Sequence, residues 1–232
     1  MKALILAAGY GSRLGLVTKD FPKPLIQVGG KPILDLTIRK LLEIGISEII
    51  INTHFKADAI ESYLSSQEYS AQITLSYEAQ LLGTLGTLRK HLKYLSNSDF
   101  VVMHSDNYFE DSLHGLVHTH LNREPHIMAS MATFDTENPT ECGVVTVDEK
   151  FQVIGFFEKV ANPPSCIANA AIYIFSPLVQ HDILALPKEE NDLSKNLIPR
   201  LVGRIITSKF SGPLIDIGTP EGLSRANTLY VR

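Results

Sequence analysis

The sequence contains few cysteines and no long apolar segment. Among its 232 residues only Cys142 and Cys166 are cysteines, and their spacing matches no cysteine-based metal site. No apolar run approaches the roughly 20 residues of a membrane-spanning helix. The apolar stretch Ala3 to Ala8 is short and leads directly into a glycine-rich loop, which is not the layout of a signal peptide. We therefore expect a cytoplasmic protein with reduced cysteines and no membrane partner.

Excess positive charge is also lacking. The chain has 21 Lys and Arg against 25 Asp and Glu, which gives a formal net charge of −4. Such a chain has no global field that would attract nucleic acid, so a nucleic-acid partner is not expected. Its length and its 44% hydrophobic content allow a sizeable core, and we predict a single domain.

Short apolar segments alternate with amphipathic ones in the first half of the chain. The pattern predicts strands at Ala3–Leu6, Glu48–Asn52, Ile73–Tyr77 and Phe100–His104, and helices after Pro32 up to Gly45, at Ala57–Leu64 and at Thr84–Leu92. Strands and helices that alternate in this way indicate a doubly wound, mostly parallel α/β sheet.

The second half has more closely spaced apolar segments, which favours antiparallel or mixed pairing. Strands are predicted at Ile127–Thr133, Gly143–Val147, Gln152–Phe157, Ala168–Phe175 and Arg204–Lys209. A helix is predicted near Leu193–Leu201, and a closing helix begins at Pro220, a residue suited to a first helical turn. The fold class is therefore α/β with a mostly parallel, mixed sheet.

The loop that follows the first strand has the composition of a phosphate-binding loop. It runs from Leu6 through Ala8, Gly9 and Gly11, and its glycines allow backbone N–H groups to approach an anion. Arg13 adds a guanidinium fork, and Lys23 follows ten residues later. Ligands of doubly wound sheets lie beyond the carboxyl ends of the strands, where this loop is expected.

Three types of phosphate site compete for this loop. A P-loop requires Gly-Lys-Ser/Thr, whereas Gly11 is followed by Ser12-Arg13-Leu14. A dinucleotide fingerprint requires a third glycine where Leu14 stands and an acidic residue at the end of the second strand, and neither is present. The third is a nucleoside triphosphate site in which Arg13 binds the β- and γ-phosphates and Lys23 the α-phosphate, with a metal held by distant acidic residues.

Six sequence blocks resemble those of the sugar-1-phosphate nucleotidyltransferases. The first is Leu6-Ala7-Ala8-Gly9-x-Gly11-x-Arg13-Leu14 with Pro22-Lys23-Pro24-Leu25. The others are Leu82 to Leu88, Asp106 after a hydrophobic strand, Gly143-Val144-Val145, Phe157-Glu158-Lys159 with Asn169 to Tyr173, and Asp216 to Pro220. The resemblance implies a Rossmann-like fold over residues 1–232, with a nucleotide-binding half, 1–125, and a sugar-phosphate-binding half, 126–232.

The resemblance also implies the site residues. Arg13 and Lys23 are the catalytic cations, and Asp106 and Asp216 hold Mg²⁺, with Asp106 also at the substrate. The nucleotide would contact Leu6, Ala8, Gly9, Gly11, Glu78, Gly83 and Thr84, and the sugar phosphate Gly143, Glu158, Lys159 and Asn169. Ala171 stands where the family often has glycine. The expected reaction makes a nucleotide sugar and pyrophosphate from a nucleoside triphosphate and a sugar 1-phosphate.

Glu78 suggests the base. It stands where guanylyltransferase-like relatives often have glutamate, and a carboxylate can accept both guanine N1–H and N2–H. GTP with mannose- or manno-heptose-1-phosphate is therefore the first expectation. Alternatives are a uridylyl- or thymidylyltransferase, a phosphocholine cytidylyltransferase, and a non-catalytic sugar-nucleotide sensor. The sequence leaves open which sugar is used, the pathway and whether the chain forms a homo-oligomer.

Three histidines lie close together in the sequence. His114 and His118 are four residues apart and could share a helix face with a metal, but no third ligand is fixed nearby. For these two and His120 we expect a solvent-facing helix. His54 is expected to be a structural residue at a strand end.

Overall fold

The computed structural model describes residues 1–15 and 21–230. Its strands are β1 (Lys2–Leu6), β2 (Gln27–Val28), β3 (Lys31–Pro32), β4 (Ile49–Thr53), β5 (Ile73–Tyr77), β6 (Phe100–His104), β7 (Asn107–Tyr108), β8 (Ala129–Asp135), β9 (Gly143–Val147), β10 (Val153–Glu158), β11 (Ile167–Phe175), β12 (Ile205–Lys209) and β13 (Ile215–Asp216). Its α-helices are α1 (Ile33–Glu43), α2 (Ala57–Ser65), α3 (Thr84–Leu95), α4 (His114–Leu121), α5 (Gln180–Ala185) and α6 (Pro220–Tyr230).

The chain forms two compact units that interleave along the sequence. One, here called the parallel unit, comprises Ala3–Leu81, Met103–Glu110 and Leu214–Arg232. The other, here called the mixed unit, comprises Met1–Lys2, Leu82–Val102 and Asp111–Pro213. The functional division of the chain at residue 125 stays a prediction.

The parallel unit is built on β1, β4 and β5, which pair in parallel with Ala3 beside Ile49 and Ile49 beside Ile73. Helix α1 precedes β4 in the chain, so the chain must leave the helix before the strand can begin. The helix ends before Gly45, whose φ of 78° lies in the left-handed region. There the Gly45 and Ile46 N–H groups donate to carbonyls of the last helical turn, as in a glycine C-cap.

The mixed unit contains both antiparallel and parallel strand pairing. β9 pairs with β10, and β11 pairs with both β8 and β9, all antiparallel, while β12 pairs with β8 in parallel. The register of β11 against β8 shifts between Asn169 and Tyr173. Such a bulge changes the direction of side chains locally. The mixed α/β sheet expected from the sequence is therefore confirmed.

Most predicted elements match within a few residues, but the segment Leu193–Leu201 does not form the predicted α-helix. It forms a π-helical turn, Leu193–Leu197, and then a 3₁₀ turn, Ile198–Leu201. Pro199 has no N–H to donate to a carbonyl four residues earlier, which explains why an α-helix is not continued there. Within residues 1–15 and 21–230, no helix is long and apolar enough to cross a membrane.

Candidate functional site

Four charged side chains, including Lys23, form a chain of ion pairs in the parallel unit. Lys23 Nζ lies 2.5 Å from Asp106 Oδ2 and 3.5 Å from Asp216 Oδ1. Arg13 Nη2 lies 3.1 Å from the other oxygen of Asp216, Oδ2. The side chain of Lys23 is 9% exposed, against 26% for Asp106 and 44% for Asp216. We call these four residues the charge cluster.

Backbone pairing brings the two aspartates together. β7, which directly follows Asp106, pairs antiparallel with β13, so that Asp216 lies opposite Asn107. The Ile217 N–H donates to the Asp106 carbonyl at 3.0 Å, and the Gly218 N–H donates to Asp216 Oδ1 at 2.7 Å. The side-chain direction of Asp216 is therefore fixed by its own loop.

Lys23 lies between Pro22 and Pro24 and begins the 3₁₀ turn Lys23–Leu25. Proline fixes φ, which limits the conformations available to this turn. Residues close in sequence to the four charged positions belong to one apolar cluster, which consists of the buried residues Leu14, Ile26, Val28, Ile33, Tyr108, Ile215, Ile217 and Ala226. Leu14 follows Arg13 directly, and Ile215 and Ile217 flank Asp216, so the packing of this cluster orients the charged side chains.

Electrostatics keep the Asp106 carboxyl ionised. Burial opposes its charged form, but the Lys23 ammonium and the His104 ring outweigh that effect, and the pKa of Asp106 lies below its ordinary value. Among the described residues no group of three or more His, Cys, Asp or Glu could hold a metal ion. The carboxylates of Asp106 and Asp216 both face the Lys23 ammonium and lie close together. Such a pair nevertheless fits Mg²⁺, which commonly takes one or two carboxylates and completes its shell with water and phosphate oxygens.

The predicted nucleotide loop begins where β1 ends. Leu6 and Ala8 are buried, Gly9 is exposed, and Gly11 precedes the 3₁₀ turn Ser12–Leu14. Glu78, at the end of β5, is also buried, with 3% exposure, and its Oε1 accepts a hydrogen bond from Asn52 Nδ2 at 3.1 Å. The proposed base-recognising carboxylate therefore has a defined orientation in the parallel unit.

Gly83 and Thr84 lie in the mixed unit, at the N-terminus of α3. Thr84 Oγ1 accepts from the Leu193 N–H at 2.8 Å, and the Leu85 N–H donates to the Asn191 carbonyl at 2.8 Å. A Cβ on Gly83 would lie 2.5 Å from that carbonyl oxygen. These contacts fix the position of the Gly83–Thr84 backbone within the mixed unit. That these two residues bind a nucleotide stays a prediction.

Two of the predicted sugar-phosphate residues meet in the mixed unit. Gly143 is buried on β9, and a Cβ at this position would clash with Glu158 Oε2 on β10. Burial raises the pKa of the Glu158 carboxyl, and Lys159 counteracts part of that effect. Lys159 itself is exposed, with a left-handed φ of 51°. The Lys159 N–H donates to the Cys142 carbonyl at 3.2 Å.

Asn169, the fourth predicted sugar-phosphate residue, lies at the bulge of β11. Its Nδ2 donates to the Tyr173 hydroxyl at 2.6 Å, and its Oδ1 accepts from the Ala171 N–H at 2.9 Å. Ala171 adopts φ 55°, the left-handed conformation for which glycine is better suited. The amide of Asn169 is thus oriented at both ends.

The solvent-facing helix is confirmed for His114 and His118, which are exposed on α4, but it is wrong for His120. His120 is fully buried, on the same face as Leu116 one turn earlier. Its Nδ1 lies 2.9 Å from Ser130 Oγ and its Nε2 lies 3.4 Å from Asp99 Oδ2. These polar neighbours reduce the cost of burying the ring.

His54 is confirmed as a structural residue at a strand end. Its Nδ1 lies 2.7 Å from the Glu78 carbonyl oxygen, and its Nε2 lies 2.7 Å from the Tyr10 hydroxyl. Sequence reasoning missed Asn52, which lies beside Glu78. The available signal was a polar residue at the carboxyl end of the buried strand that contains Ile49 and Ile51.

The sequence model of the nucleotidyl transferase family matches residues 2–232 of this chain. A Xenopus tropicalis mannose-1-phosphate guanylyltransferase catalytic subunit beta is 32% identical over 241 residues, which cover all of this chain but only 65% of that protein. A D-glycero-alpha-D-manno-heptose 1-phosphate guanylyltransferase of Campylobacter jejuni is 33% identical over 225 residues, covering 95% of this chain and 96% of the relative.

Solved structures of similar fold also extend over nearly the whole chain. A Bacillus anthracis protein, described as a glucose-1-phosphate thymidylyltransferase and solved with sucrose, has a TM-score of 0.88 and 28% identity over 99% of this chain and 94% of its own. HddC from Yersinia pseudotuberculosis, complexed with GMP-PN, has a TM-score of 0.80 and 26% identity over 99% of both chains. The Rossmann-like fold implied by the sequence blocks is confirmed by these neighbours.

Proposed function

Because the chain belongs to the nucleotidyl transferase family, we propose that it transfers GMP from GTP to mannose 1-phosphate or manno-heptose 1-phosphate. The observation that carries this proposal is the charge cluster, in which the largely buried Lys23 ammonium pairs with Asp106 and Asp216, and Asp216 in turn pairs with Arg13. A cation fixed in this way serves chemistry on phosphate better than a solvated surface lysine does.

In the proposed reaction, a phosphate oxygen of the sugar 1-phosphate attacks the α-phosphorus of GTP. The bond from that phosphorus to the α–β bridging oxygen breaks, and pyrophosphate leaves with the electron pair. Both reactants are anionic, so neutralisation and alignment contribute more than acid–base catalysis. Lys23 has the fixed position that suits the α-phosphate, where charge shifts during attack, and the more exposed Arg13 suits the departing β- and γ-phosphates.

Asp106 and Asp216 would hold Mg²⁺, which supplies positive charge to the phosphate oxygens when it is bound. The lowered pKa of Asp106 keeps this carboxylate ionised at neutral pH, as a metal ligand must be. Lys159 and Glu158, with Asn169, would bind the phosphate and the hydroxyls of the sugar, because that recognition requires a cation together with oriented donors and acceptors.

Guanine is favoured by Glu78 and by the guanylyltransferase names of the Xenopus and Campylobacter relatives. A carboxylate has about four lone-pair positions, which is enough to accept from guanine N1–H and N2–H as well as from Asn52. Thymidylyl transfer is the second candidate, favoured by the TM-score of the Bacillus neighbour. Thymine offers only one N–H, so a carboxylate can form only one hydrogen bond with it where guanine allows two.

Pyrophosphate release tests both candidates. GTP, dTTP, UTP, CTP and ATP are each combined with mannose 1-phosphate, manno-heptose 1-phosphate, glucose 1-phosphate or phosphocholine, with and without Mg²⁺, and Lys23→Ala is the matched inactive control. We expect Mg²⁺-dependent release with GTP and a manno-configured phosphate. A preference for dTTP or UTP would contradict the guanine assignment, and no release from any pair would contradict the transferase assignment.

A further inference from the structure

We propose that Asn52 is a positioning residue, which holds the Glu78 carboxylate in a fixed place relative to the loop that begins at Ala7. The buried amide of Asn52 would then link base recognition to phosphate binding. This inference rests on the proposed function, because Glu78 acts there as the residue that recognises guanine.

The orientation of the Asn52 amide follows from its neighbours. The Ala7 N–H lies 2.7 Å from Asn52 Oδ1, and because a backbone N–H can only donate, the amide oxygen must face it. The amide nitrogen therefore faces Glu78 Oε1, 3.1 Å away. Asn52 is 4% exposed, so water competes little for either contact. Residue 78 must in turn present an acceptor to Asn52.

His54 provides a second connection between Glu78 and the same loop. Its Nδ1 lies 2.7 Å from the Glu78 backbone carbonyl, which can only accept, so Nδ1 carries the proton. The Nε2 of the neutral ring then accepts from the Tyr10 hydroxyl at 2.7 Å. Tyr10 lies three residues after Ala7, so the loop is connected to Glu78 at two points. The Glu78 N–H also donates to the Thr53 carbonyl at 2.8 Å.

Nucleotide selectivity separates this role from simple stabilisation. Asn52→Asp removes the donor and places a second carboxylate beside Glu78, and we expect the ratio of kcat/KM for GTP to that for UTP to fall about tenfold or more. Thr37→Val is the matched control, because it removes another buried hydrogen bond of the parallel unit, from Thr37 Oγ1 to the Ile33 carbonyl. It should lower stability and leave the ratio unchanged.

A double-mutant cycle with Glu78→Gln tests the contact itself. In the doubly substituted protein, the amide at position 78 can donate to the carboxylate at position 52, so the hydrogen bond returns with reversed polarity. Asn52→Asp should therefore change the ratio by less than about twofold in the Glu78→Gln background. The same factor in both backgrounds, or an unchanged ratio for Asn52→Asp alone, would overturn the inference.

Calorimetric binding of GTP and UTP, without sugar phosphate, measures the same preference in the absence of turnover. If no nucleotide pair gives transfer but wild type binds GTP more tightly than UTP and Asn52→Asp removes that preference, the transferase proposal fails and the role of Asn52 stands. If wild type binds the two nucleotides equally, the role of Asn52 is refuted as well.

Discussion

Replacement of Asp106 by asparagine separates the structural contribution of the charge cluster from its chemical one. The substitution keeps the side-chain volume but removes the negative charge 2.5 Å from Lys23 Nζ, while the carboxylate of Asp216 remains 3.5 Å from the ammonium. Removing one partner of a buried ion pair costs about 3–5 kcal/mol. Because Asp106 is partly exposed and Asp216 remains, we expect a smaller loss, about 2–3 kcal/mol.

Asp216→Asn is the matched comparison. Asp216 is more exposed, and its nearer ionic partner, Arg13, has a side chain that is 64% exposed, so the loss of stability should be at most about 1 kcal/mol. Both variants lose a negatively charged ligand of the proposed Mg²⁺ site, so both should lose most of their turnover. Stability and activity are therefore expected to change together in Asp106→Asn but not in Asp216→Asn.

Urea unfolding of wild type, Asp106→Asn, Lys23→Met and their double variant measures the contribution of the pair. If the ion pair is responsible, the two substitutions should cost less together than the sum of their separate effects. The pKa of Asp106 is lowered in the folded protein, so its stabilisation is present above the ordinary carboxyl pKa of 3.8 and disappears as the pH falls through the lowered value. Equal unfolding free energies for Asp106→Asn and Asp216→Asn, or strict additivity with Lys23→Met, would refute this reasoning.

Three further predictions concern the phosphates, the sugar side and a buried histidine. Lys23→Ala should mainly lower kcat, whereas Lys159→Ala should mainly raise the KM of the sugar phosphate; steady-state kinetics that show the same changes for both would remove the distinction. Gly143→Ala should displace the Glu158 carboxylate, raise the same KM and cost about 1–3 kcal/mol in urea unfolding, and unchanged values would contradict the close contact. Burial and the nearby Arg123 guanidinium, opposed by Asp99, together lower the pKa of His120 from 6.5 to about 4. Its neutral form therefore contributes stability above pH 6.5, of which about 3 kcal/mol is lost as the pH falls to 4, and His120→Asn should remove this pH dependence of the unfolding free energy.

Local patterns predict the strands well, because the signal of a strand lies within its own residues. The bounds of Ile73–Tyr77, Phe100–His104 and Gly143–Val147 agree residue for residue with the structure. Periodicity also places Asp106 directly beyond a strand end, where the structure has it. It does not indicate that Lys23 Nζ bonds to Asp106, since that contact joins positions 83 residues apart.

Features that depend on tertiary neighbours could not be predicted in the same way. The buried ring of His120 has as polar neighbours a serine on β8 and an aspartate before β6. Sequence spacing identifies neither of them as its partner. Asn52 is identified as a positioning residue only once Ala7 and Glu78 are seen on either side of its amide. In both cases the residue type is visible in the sequence, and the partner that gives it a role is not.

The apolar cluster includes sequence neighbours of all four charged residues, which explains how four separate segments produce one arrangement of charges. Holding long charged side chains in place costs conformational entropy, and an exposed ion pair such as Arg13 with Asp216 offsets little of it. Burial of apolar neighbours contributes about 25 cal/mol per Å² and acts at every segment at once. Helix α6 belongs to the same cluster through Ala226, Leu223 and Tyr230, and Asn227 Oδ1 accepts from the Gly29 N–H at 2.9 Å. The geometry around Lys23 therefore depends on a helix that contributes no charged group to the site.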